Sequence, residues 1–308
     1  MSLELKSKKW AGAIRTVTLG AGSRKALIVG GGNGLPLHTF ESTIPHRPVF
    51  ALEITDSDPP RWPDAVRHPW EGVLGQPAAA ASRGVNDFGA DLVMLHLVGT
   101  HPDRGDRSPS EAAADARSVL DRVDVPLIVK GPAAGQKQND VLSRVAEECR
   151  GEGLVLHSAC AEEYRTLAAV AVAYGHLLAA ESPIDMNLAK QLNILLTDAS
   201  VALDRVLIDP LTGGLGYGLE YTYSVMERIR LAALGGDTML NCPVICLAGE
   251  EVWKAKEAKS AGEERGINWE VATALALVEA GAEVVVMRHP QALARVRRQL
   301  DSWFNGGG

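Results

Sequence analysis

Eight short apolar runs, rich in β-branched residues, recur along the chain from residue 49 onward, and polar segments separate them. The runs cover 49–55, 91–98, 125–131, 153–159, 175–181, 205–210, 242–248 and 282–288. Within each run the residues are nearly continuously hydrophobic rather than alternating, which is typical of parallel strands buried on both faces. The pattern therefore predicts eight parallel strands with helices between them.

The separating segments have the three-to-four-residue apolar spacing of amphipathic helices. The predicted helices are 110–123 with Ser110 as its cap, 161–173, 183–199, 268–282 and 290–304. Eight strand–helix units in about 260 residues match the size of a (β/α)8 TIM barrel, which we predict over residues 49–308. A doubly wound open sheet is the rival, but no phosphate-binding fingerprint follows the first strand.

Residues 1–48 do not follow this rhythm and are predicted to form an N-terminal hairpin arm. Runs rich in β-formers at 13–20 and 25–31 flank a short turn, as expected for a β-hairpin extension. The glycine-rich segment 30–36 is not a dinucleotide fingerprint, because Leu35 stands where a glycine or alanine is needed. We interpret it as a turn at the end of a strand.

Composition narrows the function classes. The chain is 46% hydrophobic and 22% charged, with a net charge of −7, which is ordinary for a soluble globular protein. The absence of a basic run argues against nucleic-acid binding. No stretch reaches the roughly 18 apolar residues of a membrane span. The first ten residues lack the apolar region of a secretory signal, so we expect a cytoplasmic protein without a membrane association.

The cysteines and histidines predict no metal centre. Cys149, Cys160, Cys242 and Cys246 are too scattered for a disulfide framework, and we interpret them as small buried residues. We therefore expect no iron–sulfur cluster in this chain. The eight histidines show neither H-x-x-x-H nor H-E-x-x-H spacing.

Polar residues occur where the predicted strands end, and in a TIM barrel the C-terminal ends of the strands carry the chemistry. These residues are Glu53, Asp56, His96, Thr100, Lys130, His157, Ser182, Asp185, Asn187, Asp209, Thr212, Arg288 and His289. Such a ring predicts a polar barrel mouth. Structural roles remain open: Asp185 and His289 can cap helices, and Lys130 and Glu53 can pair across the barrel.

The most informative stretch is 206–234, where a strand ending at Asp209 leads into a loop with four glycines and then a helix. Glycine permits close approach to the backbone, and tyrosine adds apolar area with a polar tip. The loop is predicted to meet a large flat ligand or another protein. Alternatively, its glycines only let the loop fold back onto its own helix. Neither a G-x-S-x-G elbow nor a P-loop motif occurs there, and we assign no catalytic residue.

Four segments carry long, distinctive sequence: IDPLTGGLGYGLEYTYSVMERIRLAAL (208–234), ESPIDMNLAKQLNILL (181–196), MLNCPVICLAGEEVWKAKEA (239–258) and VVVMRHPQALARV (284–296). They closely resemble the small (delta) subunit of the corrinoid iron–sulfur protein, the methyl carrier of the acetyl-CoA decarbonylase/synthase system. The resemblance also covers 35–42, 47–56 and 89–97, and therefore nearly the whole chain.

This resemblance implies a TIM barrel that pairs with a large subunit, which carries a [4Fe–4S] cluster and a corrinoid-binding domain facing the barrel mouth. Cobalt(I) would accept a methyl group from methyltetrahydrofolate, or methyltetrahydropterin, through a partner methyltransferase. The methyl group would then pass to acetyl-CoA synthase/CO dehydrogenase in the reductive acetyl-CoA (Wood–Ljungdahl) pathway. The D-x-H-x-x-G corrinoid motif is absent because Met94 precedes His96 by two positions, which fits a base-off corrinoid without a histidine ligand.

The resemblance further implies a non-catalytic carrier subunit whose mouth contacts the corrin or the domain that holds it. The expected cofactor-binding residues are Asp209, Leu211, Thr212, Gly213, Gly214, Tyr217, Ser182, Asp185, Asn187, Lys130 and His157. The alternative from the enzyme class is a stand-alone pterin-dependent TIM-barrel methyltransferase, in which Asp209, Asp185 and Asn187 would hold the pterin. A purely structural scaffold is the third reading.

Overall fold

Eight parallel strands close into a barrel in a computed structural model that describes residues 8–38, 42–260 and 262–305. An antiparallel hairpin, β1 (Val17–Leu19) and β2 (Leu27–Val29), precedes the barrel. The barrel strands are β3 (Val49–Thr55), β4 (Leu92–His96), β5 (Leu127–Lys130), β6 (Val155–Ala159), β7 (Leu177–Glu181), β8 (Val206–Asp209), β9 (Val244–Cys246) and β10 (Ala282–Met287). Each lies within a predicted run, and the TIM barrel is confirmed.

Helices surround the barrel. They are α1 (Asp64–Arg67), α2 (Pro77–Asn86), α3 (Pro109–Arg122), α4 (Gln136–Glu148), α5 (Tyr164–Tyr174), α6 (Met186–Asp198), α7 (Leu219–Leu234), α8 (Ala248–Val252), α9 (Lys256–Ser260), α10 (Glu263–Ala280) and α11 (Pro290–Asn305). One predicted cap is wrong: Ser108, not Ser110, caps α3, and it forms a capping box with Glu111. The reason is Pro109, whose fixed φ favours the first helical position.

Two apolar layers stabilise the fold. The larger lies between the strands and the surrounding helices, and the smaller fills the barrel. Val17, Leu19 and Val29 of the hairpin belong to the smaller layer. The hairpin also bonds to segments that lead into barrel strands, since Lys25 N–H donates to the Asp124 carbonyl at 2.6 Å. It therefore covers the end of the barrel opposite the mouth.

The N-terminal hairpin is confirmed, while the assignment of 1–48 as a separate arm stays a prediction. Residues 1–7 and 39–41 of that arm lie outside the described residues. Three of the cysteines are buried as expected and Cys160 is half-buried. Across the described ranges, no helix combines the length and the apolar character needed to cross a membrane.

Candidate functional site: the polar mouth of the barrel

Seven barrel strands carry an inward-facing polar residue at or near their C-terminal end, two positions after an apolar residue of the interior layer. Because alternate residues of a strand face the same side, the seven side chains form one ring at the mouth. The ring consists of Glu53, His96, Lys130, His157, Glu181, Asp209 and Arg288. Strand pairing places His96 beside Lys130, Lys130 beside His157, and Glu181 beside Asp209.

One side of the ring, which we call the cation-paired half, contains Glu53, His96, Lys130 and Arg288, with Glu250 from α8. Arg288 makes a two-pronged contact with Glu53: Nε lies 2.7 Å from Oε2 and Nη2 lies 2.9 Å from Oε1. His96 Nδ1 lies 2.9 Å from Glu53 Oε1, and the Lys130 ammonium pairs with the Glu250 carboxylate. Each carboxylate of this half is thus neutralised by a lysine or arginine.

The electrostatics of the cation-paired half follow from burial and these contacts. Burial raises the pKa of Glu53, but Arg288 and His96 outweigh it and lower that pKa to about 2. Burial likewise opposes ionisation of Glu250, yet Lys130 and Arg288 hold its pKa well below the ordinary value. Burial lowers the pKa of His96 despite its bond to Glu53, which favours a neutral ring. Both carboxylates therefore stay ionised.

A buried carboxylate on α10 holds the backbone at the end of β10. Glu270 accepts hydrogen bonds from Arg288 N–H at 2.6 Å and from Trp253 Nε1–H at 2.7 Å. Burial raises the pKa of Glu270 to about 7 against these hydrogen bonds.

His289 Nδ1 accepts from Gln291 N–H at 3.2 Å, which confirms that His289 caps the last helix.

The other side of the ring, the anionic half, contains His157, Glu181 and Asp209. His157 Nε2 lies 2.7 Å from Asp209 Oδ2, and Ser158 Oγ–H donates to Glu181 Oε2. Asp209 Oδ1 accepts from Leu211 N–H at 2.9 Å. Among the described residues, no lysine or arginine pairs with either carboxylate. His157 Nδ1 is buried without a hydrogen-bond partner.

The glycine-rich loop after β8 is organised by its own hydrogen bonds. Gly213 N–H donates to Thr222 Oγ1 at 2.8 Å, and Thr212 Oγ1 accepts from Leu247 N–H at 2.9 Å. A Cβ at Gly213 would lie 2.4 Å from the backbone of Gly218, so only glycine fits there. The lack of a side chain at Gly213 lets the loop fold back onto the start of α7, while its contact with a ligand stays a prediction.

Apolar side chains nevertheless project from this edge of the mouth. Ile184, Leu188, Leu211 and Tyr217 are exposed, and all lie in the loops or first helical turns after β7 and β8. We call them the apolar rim. Ile184 N–H donates to the Pro210 carbonyl at 3.1 Å, which ties the two loops together. Leu211 and Ile184 have φ angles of 60° and 45°, in the left-handed region that is unfavourable for residues with a side chain.

The structure also corrects and sharpens individual predictions. The suggested pairing of Lys130 with Glu53 is wrong, because Arg288 occupies Glu53 and Lys130 reaches Glu250. Asp185 caps α6, accepting from Asn187 N–H at 2.6 Å, as one reading proposed. Ser182 is buried, Asn187 is exposed, and Gly214 lies near the Glu251 backbone. Contact of the eleven predicted residues with a cofactor stays a prediction.

Two members of the site were missed from sequence. Glu181 ends the fifth apolar run and lies two positions after Ala179, which is the same ring position that Asp209 occupies in β8. That alternation is a signal that could have identified it. Glu250 lies in a short helix after β9, and its sequence context gives no comparable signal.

An open cavity of about 950 Å³ extends above the cation-paired half. Trp62 and Trp253 form part of its wall, and Arg61, Arg104 and Lys259 contribute charge. Its lining includes six lysine or arginine residues and two aspartate or glutamate residues. A concave surface with this excess concentrates positive potential, although the whole chain is acidic.

Comparison with known proteins now decides the family. The family model of the CO dehydrogenase/acetyl-CoA synthase delta subunit matches residues 16–296. The chain belongs to the CO dehydrogenase/acetyl-CoA synthase delta subunit family. An acetyl-CoA decarbonylase/synthase complex subunit delta from Archaeoglobus fulgidus is 38% identical, over 96% of this chain and 69% of that protein. The subunit delta from Methanothermobacter thermautotrophicus is 34% identical, over 96% of this chain and 77% of its own length.

Solved structures of dihydropteroate synthases resemble this delta-subunit family member in fold. The enzyme from Xanthomonas albilineans, in complex with indole-2-carboxylic acid and 6-chloroguanine, has a TM-score of 0.60 at 15% identity, covering 94% of this chain and 98% of that one. The enzyme from Thermus thermophilus with 4-aminobenzoate has a TM-score of 0.56 at 17% identity, covering 96% and 100%. These likenesses establish the shared barrel alone.

Proposed function

We propose that this chain is the small subunit of a heterodimeric corrinoid methyl carrier in an acetyl-CoA decarbonylase/synthase system. Its partner would be a large subunit that carries the corrinoid domain and the [4Fe–4S] cluster. A methyltetrahydrofolate or methyltetrahydropterin methyltransferase would load the methyl group, and acetyl-CoA synthase/CO dehydrogenase would receive it. Family membership supports this assignment, because the relatives are named as delta subunits of that complex.

The observation that carries the proposal is the apolar rim beside the polar mouth. Leu211 and Ile184 hold exposed apolar side chains on left-handed backbone, a conformation that costs about 1–2 kcal/mol per residue. Such strain on a surface loop indicates a function that needs the side chain there. A rim of exposed apolar groups suits the flat face of a corrin ring or the domain that presents it.

The donor groups of the mouth fit a base-off corrinoid. His157 is 2% exposed inside the barrel mouth, and His96 is bonded to Glu53, so neither ring projects toward a corrinoid docked on the mouth. A corrinoid supplies the methyl-transfer chemistry when bound. The chain itself would orient the cofactor and shield it from water, and none of its residues is assigned a catalytic proton transfer.

The test is to purify the full chain alone and together with its large subunit. We expect a corrinoid absorption spectrum only from the complex, and methyl transfer only when the partner methyltransferase is added. Methyl transfer from methyltetrahydrofolate to free cobalamin by the lone chain would overturn the proposal. That result would instead establish a stand-alone pterin-dependent methyltransferase.

Paired variants locate the docking surface. Leu211→Asp places a charge on the apolar rim, whereas Leu231→Asp places one at an exposed apolar position of α7. Leu231 lies twelve residues beyond Leu219, which is roughly 18 Å along the helix and away from the mouth. We expect Leu211→Asp to abolish corrinoid retention by the complex and Leu231→Asp to preserve it. Equal retention in both variants would contradict a role of the rim.

A further inference from the structure

The anionic half of the ring has a charge that the described protein groups leave unbalanced. Asp209 is 2% exposed, and Glu181 lies beside it in strand register. His157 can neutralise at most one of the two carboxylates, and no lysine or arginine of the described chain contacts either. Asp209 is buried and Glu181 is partly exposed, and negative charge that is removed from water without a partner is unfavourable. This half is therefore suited to hold a cation.

We propose that His157, Glu181 and Asp209 bind one divalent transition-metal ion inside the barrel mouth. One ligand atom from each residue lies within 4.8 Å of the others. Metal–ligand bonds of about 2.0–2.2 Å require the 2.7 Å contact between His157 Nε2 and Asp209 Oδ2 to open slightly and Glu181 to move closer. The three residues come from the neighbouring strands β6, β7 and β8, so the fold itself sets their spacing. His157 and Asp209 are also expected to contact the corrinoid, but ion binding is tested on the chain without that cofactor.

The supporting contacts orient the ligands. Leu211 N–H holds Oδ1 of Asp209, and Ser158 Oγ–H holds Oε2 of Glu181. The second oxygen of Asp209, Oδ2, faces His157 Nε2, which is the position that an ion would take. Outer hydrogen bonds of this kind fix the ligands of protein metal sites. The set comes from three separate strands, which explains why no spacing motif reveals it in the sequence.

The contact between His157 and Asp209 shows which ring nitrogen faces the site. His157 Nε2 lies 2.7 Å from Asp209 Oδ2, in a side chain that is 2% exposed. An ion held by both residues would therefore take the Nε2 lone pair in place of this hydrogen bond, and Nδ1 would carry the ring proton.

The cation-paired half supplies an internal contrast. Glu53, His96 and Glu250 also lie within 4.8 Å of one another. Arg288 already neutralises Glu53, and Lys130 neutralises Glu250. A divalent ion there would face two fixed positive charges at close range. The same ligand types therefore make a metal site only in the anionic half.

The ligand types limit the metal. One imidazole and two carboxylates suit zinc, cobalt, manganese or iron in the divalent state, with water completing the coordination. A thiolate is not part of the set, because Cys246 packs in the apolar layer between strands and helices and its sulfur is not among the ligand atoms that gather here. Zinc and cobalt are the probes of choice.

The test measures binding of Zn²⁺ to the chelator-treated full chain by titration calorimetry, with the bound metal counted by elemental analysis. We expect one equivalent for the wild type and an affinity at least about tenfold lower for Asp209→Asn and Glu181→Gln. Glu250→Gln is the matched control from the other half and should bind as the wild type does. Circular dichroism establishes that each variant is folded, and His157→Gln replaces any that is not.

Co²⁺ reports the site independently of affinity. We expect visible absorption bands of low-coordinate Co²⁺ in the wild type and in Glu250→Gln, and their loss in Asp209→Asn. The proposal is overturned if the wild type binds no Zn²⁺. It is also overturned if Asp209→Asn and Glu181→Gln bind as tightly as the wild type does, or if Glu250→Gln alone loses the ion.

Discussion

The two halves of the barrel mouth use the same ring position and similar carboxylates but balance their charge differently. In the cation-paired half, Arg288 lies against Glu53 and Lys130 against Glu250. In the anionic half, His157 is the one group of the described chain that can balance Asp209 and Glu181. The first half is complete without a ligand, whereas the second is not. Within one barrel, the place where charge is left unbalanced is therefore the place to look for a bound ion.

Replacing Glu53 tests the cation-paired half and should cause the largest loss of stability. Glu53→Gln leaves the Arg288 guanidinium buried without its carboxylate, and arginine cannot lose its proton to escape. We expect the free energy of unfolding to fall by about 3–5 kcal/mol, measured by urea denaturation at pH 7. Asp103→Asn, at a 90% exposed carboxylate near the same cavity, is the control and should change little. Equal losses of stability in Glu53→Gln and Asp103→Asn would show that burying the pair of Glu53 and Arg288 does not make it more important than a surface charge.

The pH dependence of stability tests the contacts around Arg288 in the cation-paired half. The pKa of Glu270 is raised, whereas the pKa of Glu53 is lowered. Burial raises the pKa of Glu270 from 4.5 to about 7, so the folded state binds a proton that the unfolded state has released between those values. The wild type should thus lose about 3 kcal/mol of stability through this group as pH rises from 4.5 to 7. The stability of Glu270→Gln, measured across that range, should lack this component. Parallel curves for the two proteins would refute the assignment.

Sequence predicted the fold well because the barrel depends on coarse features. Continuous apolar runs such as 49–55 and 282–288 need only burial on both faces to be recognised as parallel strands. The wrong cap at Ser110 shows the limit of that reasoning. Ser108 and Ser110 both precede the same apolar periodicity, and the choice depends on the geometry that Pro109 imposes.

The site was less predictable, because its pairings depend on distances across the barrel. Polar strand ends such as Glu53 and His96 could be recognised from sequence, but not that Arg288 rather than Lys130 would neutralise Glu53. These partners are 235 residues apart along the chain. Gly213 is a further example: the sequence shows a glycine, and only the structure shows that the backbone of Gly218 excludes a side chain there.

Replacing Asp209 in metal-free protein tests the anionic half and should reduce stability less than replacing Glu53 does. Asp209→Asn keeps an oxygen for Leu211 N–H, and its amide can still bond to the His157 ring, whereas the Arg288 guanidinium has no neutral form available. We expect the free energy of unfolding to change by less than about 1.5 kcal/mol, well below the effect of Glu53→Gln. Urea denaturation in the presence of a chelator provides the measurement. A loss of stability as large as that of Glu53→Gln would mean that the charges of both halves are balanced by protein groups alone.

The apolar rim next to the anionic half gives the smallest expected change in stability. Leu211 has a φ of 60°, and glycine adopts this conformation without the steric strain of a side chain. The gain is offset by the greater entropy of glycine in the unfolded chain, so Leu211→Gly should stabilise the isolated chain by at most about 1 kcal/mol. The same variant should weaken corrinoid retention by the complex with the large subunit, because the exposed apolar group is gone. Unchanged stability together with unchanged retention would mean that the left-handed backbone at Leu211 neither destabilises the fold nor supports docking. The rim would then be a by-product of how the loop folds onto α7.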